Sequence, residues 1–247
     1  MEKHETVTRL ADLLAQSRRK RCFTFSDFLT LADAMDGLRL APAGEIFAFG
    51  GTEGCERQML RFGDPEDMGY EEAFPIAVLR IAPRSEKFSE PLTHRDYLGA
   101  LMNLGVVREA VGDIIVGEDA AYVFVKENIA AYLAESLTKV GRVFVDTKIC
   151  DTVPADAAPH LEPMTVNVAS LRMDALAGAV YHLARGKIKP YFAAGYVFRN
   201  GRELTNEGAE PKEGDVISVR GYGKFIFREA VHETKKGRIV VRIERYV

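Results

Sequence analysis

The sequence has no tryptophan, only three cysteines and no long apolar run. Cys22, Cys55 and Cys150 lie far apart, so they predict neither a disulfide framework nor a zinc site and fit a reducing compartment. No stretch approaches the roughly 20 apolar residues that a membrane span needs. The charged start, residues 1–5, precedes no apolar run, so we expect no secretory signal and a cytoplasmic location.

The chain otherwise has the composition of an ordinary globular protein, with 247 residues, 47% hydrophobic and 28% charged. This mix excludes disorder throughout, and the length allows one large domain or two to three small ones. The net charge of −3 is unevenly distributed: residues 165–247 carry 15 Lys or Arg against 9 Asp or Glu, a balance of +6. A basic end on an acidic body indicates a polyanionic partner, and the alternative is a solvated charged surface.

The N-terminal region, residues 1–73, is predicted to contain two helices and a β-hairpin. Apolar residues within 7–14 repeat at helical spacing, and 25–37 continue the pattern as a second amphipathic helix. Two apolar runs, 46–49 and 59–62, flank a glycine-rich segment, which is typical of a hairpin. Those glycines are not predicted to bind phosphate, because no Lys-Ser or Lys-Thr follows them.

Residues 74–150 are predicted to form a β-α-β-β-α-β domain, the order of ferredoxin-like and RNA-recognition-motif folds. The strands are expected at 75–82, 111–116, 121–125 and 143–145. Thr93 is expected to open the first helix in a capping box with Asp96, and Asn128 to cap the second. RNA-recognition motifs stack bases on strand aromatics, but their signature is absent, so RNA binding by this sheet is not predicted.

The C-terminal region, residues 165–247, is predicted to form two small helices and several strands after a linker at 151–163. Ser170 is expected to cap the first helix, and Gly195 to end the second. Asn200-Gly201 is a strong hairpin-turn signal. The expected helices cover 171–183 and the segment up to Ala194, and the expected strands cover 196–199 and 216–220.

Four motifs in this region resemble the S-four type RNA-binding domain, named after small-subunit ribosomal protein S-four. They are R-M-D at 172–174, A-R at 184–185, G-Y-V-F-R-N at 195–200 and G-D-V-I-S-V at 214–219. The resemblance implies paired helices whose basic residues grip the phosphate backbone of structured RNA. Ala184 departs from a usual serine, and Pro190 is expected to shorten the second helix.

Five blocks along nearly the whole chain resemble the bacterial YlmH family. They are F-S-D-F-L at 25–29, H-R-D-Y-L-G-A-L-M at 94–102, V-G-D-I at 111–114, R-G-Y-G-K-F at 220–225 and T-K-K-G-R at 234–238. The resemblance implies an RNA-binding protein associated with the large ribosomal subunit and peptidyl-tRNA during rescue of stalled translation. A role in cell division has also been suggested for this family.

The candidate RNA-binding residues are eleven basic side chains of the C-terminal region. They are Arg172, Arg185, Lys187, Lys189, Arg199, Arg220, Lys224, Arg228, Lys235, Lys236 and Arg238. The first four are spaced so that one small helical face presents them to phosphates, the next four extend onto strands, and the last three lie in a turn. Phosphate contacts carry little sequence information, so we expect shape-dependent binding to folded RNA. The alternatives are ordinary surface charge and, for the last three, a solvated hairpin tip.

The chain is not expected to be an enzyme. It lacks the G-R-L-D type loop of a pseudouridine synthase and the glycine-rich strand-to-helix turn of a methyltransferase. Its five histidines have no metal-ligand spacing, so neither a metal nor a cofactor is expected. The sequence therefore predicts an α+β monomer that binds no membrane, and the resemblance implies that its ligand is ribosomal RNA or tRNA. The alternatives are a protein-interaction module linked to cell division, with its acidic front half as the contact surface, and an RNA-modification accessory protein.

Overall fold

The computed structural model describes residues 3–85, 92–154 and 161–246, in two compact units, Met1–Pro159 and His160–Val247. Both units combine helices with antiparallel sheets, so the predicted α+β class is confirmed. The predicted regions 1–73 and 74–150 lie together in the first unit. Within the described ranges, no helix is long and apolar enough to cross a membrane.

The N-terminal region is a three-stranded sheet covered by helices. Its elements are α1 (Lys3–Lys20), β1 (Thr24–Phe25), α2 (Leu31–Gly37), β2 (Ile46–Phe49), β3 (Met59–Phe62) and α3 (Pro65–Met68). The predicted hairpin is confirmed, since β2 pairs antiparallel with β3. Leu10 and Leu14 of α1 and Leu60 and Phe62 of β3 are buried in one core, which explains the helical repeat seen in the sequence.

The predicted second helix over 25–37 is wrong in its first half. β1 pairs with β3, and the backbone N–H of Leu29 donates to the carbonyl of Gln58 at 2.8 Å. The helix begins only after Thr30, whose hydroxyl accepts from the backbone N–H of Asp33 at 3.2 Å. Apolar residues at helical spacing adopt an extended conformation here because the free edge of β3 supplies backbone hydrogen-bond partners.

The central domain is a five-stranded sheet with two helices on one face. Its elements are β4 (Ile76–Pro83), α4 (His94–Asn103), β5 (Val111–Val116), β6 (Ala121–Lys126), α5 (Glu127–Ser136), β7 (Lys139–Val140) and β8 (Val143–Cys150). The strand order is β5-β6-β4-β8-β7 with antiparallel neighbours. Helix α4 connects β4 to β5, which are parallel with β6 between them. Helix α5, followed by the short strand β7, leads from β6 to β8, which are parallel with β4 between them, so the topology is the interleaving of a split β-α-β unit.

One of the two predicted helix caps is present in this domain. The capping box at Thr93 is confirmed, with its backbone N–H donating to Asp96 Oδ2 at 2.7 Å. Asn128 is not the cap of α5, because the helix begins at Glu127 directly after β6. The N–H of Glu127 donates to the carbonyl of Pro75 at 2.9 Å, so a neighbouring strand satisfies the helix start without a side chain.

The second unit is a six-stranded sheet packed against two helices. Its elements are β9 (Leu161–Val168), α6 (Met173–Val180), α7 (Arg185–Ala193), β10 (Val197–Arg199), β11 (Arg202–Glu203), β12 (Val216–Val219), β13 (Gly223–Glu233) and β14 (Ile239–Tyr246). The strand order is β11-β10-β12-β13-β14-β9. Leu176, Ile188, Phe192, Phe225 and Val241 are fully or almost fully buried in the core between helices and sheet.

Two sequence expectations for the second unit need correction. The predicted linker at 151–163 ends in a strand, because β9 begins at Leu161 and pairs with β14. Helix α6 begins at Met173, with Arg172 rather than Ser170 at the N-cap. The N–H groups of Met173 and Asp174 each donate at 3.0 Å to carbonyls of Ala209 and Glu207, so a distant loop sets this helix start.

The expectations for Asn200-Gly201 and Gly195 agree with the structure, whereas the expectation that Pro190 shortens the second helix is wrong. Asn200 and Gly201 both have positive φ, at 51° and 74°, as a two-residue hairpin turn requires. Gly195 follows the end of α7 with φ of 68°. Pro190 lies inside α7 and does not shorten it, since the N–H of Ala194 still donates to the Pro190 carbonyl at 2.9 Å.

Candidate nucleic-acid interface

A buried carboxylate holds two of the predicted arginines at the start of the helix pair. Asp174 is 0% exposed, and its Oδ1 accepts from Arg172 Nε at 3.0 Å and from the backbone N–H of Ala175 at 2.9 Å. Its Oδ2 accepts from Arg185 Nε at 2.8 Å. Arg185 is nevertheless 58% exposed, so its side chain is both anchored by the fold and accessible to a ligand.

The two guanidinium groups also set the charge state of this carboxylate. Burial by itself raises the pKa of Asp174, but the hydrogen bonds and charges of Arg172 and Arg185 outweigh it and hold the pKa below its usual value. The three groups together therefore carry one net positive charge at neutral pH, on a rigid base at the junction of α6 and α7.

The other two predicted residues of the helix pair lie on α7. Lys189 Nζ donates to Glu207 Oε1 at 2.6 Å, and Arg172 Nη2 lies 3.7 Å from the same carboxylate oxygen. Lys187 is exposed. The structure thus places all four on the predicted pair of helices, with Arg185 and Lys187 the more accessible cations.

A groove next to Arg185 brings in a residue of the distant basic turn. The groove has a volume of about 710 Å³ and lies along β9 and α6. Arg185, His182 and Arg238 line it, together with the polar side chains of Asn167 and Ser170. Arg185 and Arg238 are 53 residues apart in the sequence, and their positions beside one groove give an anion two cations to contact.

The turn that carries Arg238 joins β13 and β14. The backbone N–H of Arg238 donates to Thr234 Oγ1 at 3.1 Å, and Gly237 has φ of 71°. Lys235 and Lys236 are exposed in the same turn. The sequence therefore predicted this turn correctly.

Two of the four predicted cations on the strands form ion pairs within the second unit. Arg199 forms an ion pair with the buried carboxylate of Asp215, which also accepts from Asn200 Nδ2 at 2.8 Å. Arg228 forms an ion pair with Glu244. Both arginines are engaged in the sheet itself, so we expect them to contribute less to a ligand than Arg185 or Lys187.

Cations and tyrosines lie together at the other end of the sheet, a feature that the sequence analysis missed. The guanidinium carbon of Arg220 lies 4.9 Å from the centre of the Tyr196 ring, and Lys224 Nζ lies 5.6 Å from that of Tyr246. Burial lowers the pKa of Lys224. Tyr196 and Tyr222 are each 40% exposed, so their rings are accessible to unpaired bases. The repeated Gly-Tyr pairs at 195–196 and 221–222 were the available signal.

The described residues contain no group of three His, Cys, Asp or Glu side chains placed to hold a metal ion. In the central domain, Tyr122 and Phe124 are buried, so these two rings are not available for base stacking.

Comparison with known proteins finds similarity to a family model, to a curated relative and to a solved structure. Residues 70–153 match the family model described as "Putative RNA-binding domain in YlmH". A relative from Bacillus subtilis (strain 168), "Ribosome-associated protein quality control protein P2", is 29% identical over 211 residues, covering 83% of this chain and 79% of the relative. A solved structure, "Cell division protein ylmH from Streptococcus pneumoniae", is 22% identical and covers 61% of this chain and 92% of that chain, with a TM-score of 0.49.

The family model and the relative confirm the resemblance found in the sequence. The matched segment is the central domain, whereas the candidate residues were all chosen in the C-terminal region. The assignment of that region to the S-four type stays a prediction, as do the eleven residues.

Proposed function

We propose that this chain, whose residues 70–153 match the family model of a putative RNA-binding domain in YlmH, binds folded ribosomal RNA through its second unit without catalysing a reaction. The observation that carries the proposal is the anchoring of Arg172 and Arg185 on the buried Asp174, beside the groove that Arg238 also lines. A fixed guanidinium loses little conformational entropy when it binds phosphate, and the positive end of a helix dipole at α7 adds to the attraction.

In finer detail, we propose that the chain is a cytoplasmic monomer. It binds the large ribosomal subunit and tRNA during the rescue of stalled translation. These parts of the proposal draw support from the relative whose name describes it as ribosome-associated and as part of protein quality control. Because phosphate contacts position a protein without specifying a sequence, recognition by this surface depends on the shape of the RNA.

The experiment is co-sedimentation with purified large ribosomal subunits, combined with salt titration of binding to an RNA hairpin. Arg185→Glu is not a suitable test, because this substitution would place a second carboxylate against the buried carboxylate of Asp174. Lys187→Glu with Arg238→Glu reverses two exposed charges instead. We expect affinity to fall roughly tenfold or more, since about 1.4 kcal/mol is enough for that factor.

The matched control reverses two exposed acidic residues, Glu118→Lys with Asp119→Lys, in the turn between β5 and β6. It should not weaken binding. Wild-type protein that neutralises about five phosphates should give a log-affinity slope against log salt near −4 to −5. A flat salt response, or wild-type co-sedimentation of the Lys187 and Arg238 double variant, would contradict the proposal.

The absence of catalysis is tested separately. Purified protein incubated with ribosomal RNA and a methyl donor should leave the mass of every RNA fragment unchanged. A stoichiometric mass increase would overturn the non-catalytic part of the proposal and leave the RNA-binding part intact.

A further inference from the structure

The face of the central sheet that the helices leave open is covered over only part of its width. Tyr122 and Phe124 of β6 pack there in one cluster with Phe28 and Met59 of the N-terminal region. A Cβ atom at Gly51 would lie 2.1 Å from the Phe124 ring, so the cover is in close contact. The region of this face on β8 and β7 is different, because its side chains are exposed.

Phe144 lies in the exposed region and is 59% exposed, a large fraction for a phenylalanine. It pairs with Lys139 across β7 and β8, and Lys139 Nζ lies 5.3 Å from the centre of its ring. The neighbours Val140 and Val145 are buried on the helix side, so strand alternation directs Lys139 and Phe144 to the open face. The ring also lines a groove of about 470 Å³ with Arg84 and other residues.

Positive charge surrounds the ring on the same face. Arg80 of β4 and Lys148 of β8 are directly opposite each other in the sheet. Like charges in that position destabilise a sheet unless an anion lies between them. Arg84 Nε donates to Asp146 Oδ1 at 2.9 Å, and Asp146 is the acidic side chain of this group. Among the residues that the structure describes, four cations therefore face one carboxylate around an exposed aromatic ring.

We propose that this surface, formed by Arg80, Arg84, Lys139, Phe144 and Lys148, binds a single-stranded segment of RNA. One unpaired base stacks on Phe144, and the neighbouring phosphates lie against Arg80 and Lys148. Positions 144 and 148 are about 13 Å apart along the strand, which spans about four stacked nucleotides. The excess of positive charge favours an anionic partner over an apolar one, and the exposed Phe144 ring among the cations favours RNA, because a base can stack on it whatever the sequence. The inference takes RNA as the ligand class from the proposed function but uses a different unit of the chain.

The test is fluorescence anisotropy of the full-length chain with a labelled oligouridylate of about 12 nucleotides, which has no duplex to engage. Phe144→Ala and Phe144→Leu should each weaken binding about fivefold or more, because neither residue has a π face. Phe144→Trp should bind like the wild type. Tyr132→Ala removes an exposed aromatic residue from α5, on the opposite side of the sheet, and should leave the affinity unchanged.

A second variant separates binding from folding. Lys148→Glu replaces a like-charge pair with an opposite-charge pair beside Arg80, so thermal stability should stay equal or rise. Binding of the oligouridylate should nevertheless fall about fivefold or more.

The outcomes distinguish this surface from the one in the second unit. If Phe144→Ala and Lys148→Glu both bind the oligouridylate like the wild type, the inference is overturned. Loss of hairpin binding in the Lys187 and Arg238 double variant would still support the proposed function. If Phe144→Ala lowers co-sedimentation with ribosomal subunits while oligouridylate binding is unchanged, the surface contacts something other than single-stranded RNA and the inference is again overturned.

Discussion

Asp174 and Arg185, eleven residues apart, form an ion pair at 2.8 Å in which the carboxylate is fully buried and the guanidinium is mostly exposed. The same carboxylate holds Arg172. A buried charge with two hydrogen-bonded cationic partners stabilises the fold only while all three are present. In the proposed function, Asp174 therefore contributes to RNA binding by positioning the two arginines.

The first prediction concerns Asp174→Asn. The amide oxygen of Asn can accept a hydrogen bond from one arginine, but the amide has no negative charge to balance two guanidinium groups. We therefore expect the second unit to lose about 2 kcal/mol of stability. The hairpin RNA affinity should fall as well, because Arg172 and Arg185 lose their fixed geometry. Urea denaturation and anisotropy measure the two effects, and Asp119→Asn, at an exposed turn, is the control. Unchanged RNA affinity in a destabilised but folded variant would limit Asp174 to a structural role.

A second prediction follows from the lowered pKa of Asp174. A carboxylate with a lower pKa in the folded state contributes stability above its unfolded value, near 3.9, and loses it as the pH falls through the folded value. Asp174→Asn cannot titrate, so the difference in melting temperature between wild type and variant should be constant above about pH 5 and shrink below pH 4. Thermal melts followed by circular dichroism check this. A difference that grows on acidification would contradict the assigned pairing.

Local signals predicted much of the fold. The capping box at Thr93, the Asn200-Gly201 turn and the basic turn between β13 and β14 each depend on residues within a few positions of one another. Local patterns of this kind can be recognised because sequence neighbours supply the hydrogen bonds.

Most of the failures depend on distant partners. Leu161 becomes part of a strand because it pairs with Tyr246, and α6 starts where the loop at 207–209 accepts its first N–H groups. The burial of Asp174 and the groove shared by Arg185 and Arg238 likewise need the folded chain. Sequence alone identified the cations but could not separate those held in the sheet, such as Arg199, from those left accessible.

The third prediction concerns Arg57, in the loop between β2 and β3. Its guanidinium donates to the carbonyls of Val111 at 2.9 Å, Phe28 at 2.8 Å and Arg108 at 3.2 Å. Burial lowers its pKa to about 10, so it stays charged at neutral pH. Arg57→Met leaves these carbonyls without this donor, and we expect the first unit to lose about 3 kcal/mol of stability in urea denaturation.

The control for this prediction is Arg39→Met. Arg39 is 68% exposed and lies 3.4 Å from Asp36, so the substitution should change stability by no more than about 0.5 kcal/mol. Equal effects of the two substitutions would show that the loop is not held by Arg57.

The last prediction concerns the reactivity of the cysteines. Cys55 is buried, and burial together with the charge of Asp113 raises the pKa of its thiol to about 12. The thiolate is the reactive form, so at pH 8 its population is about a thousandfold or more below that of a free cysteine. Cys22 is partly exposed. In native protein, a thiol reagent should therefore label Cys22 much faster than Cys55, and in urea all three cysteines should react at similar rates. Cys22→Ser should remove the part of the fast phase that belongs to Cys22, and peptide mass spectrometry separates it from labelling of Cys150, which is also partly exposed. Rapid labelling of Cys55 in the native chain would mean that the packing of the 50–58 loop against β5 and β6 opens readily in solution.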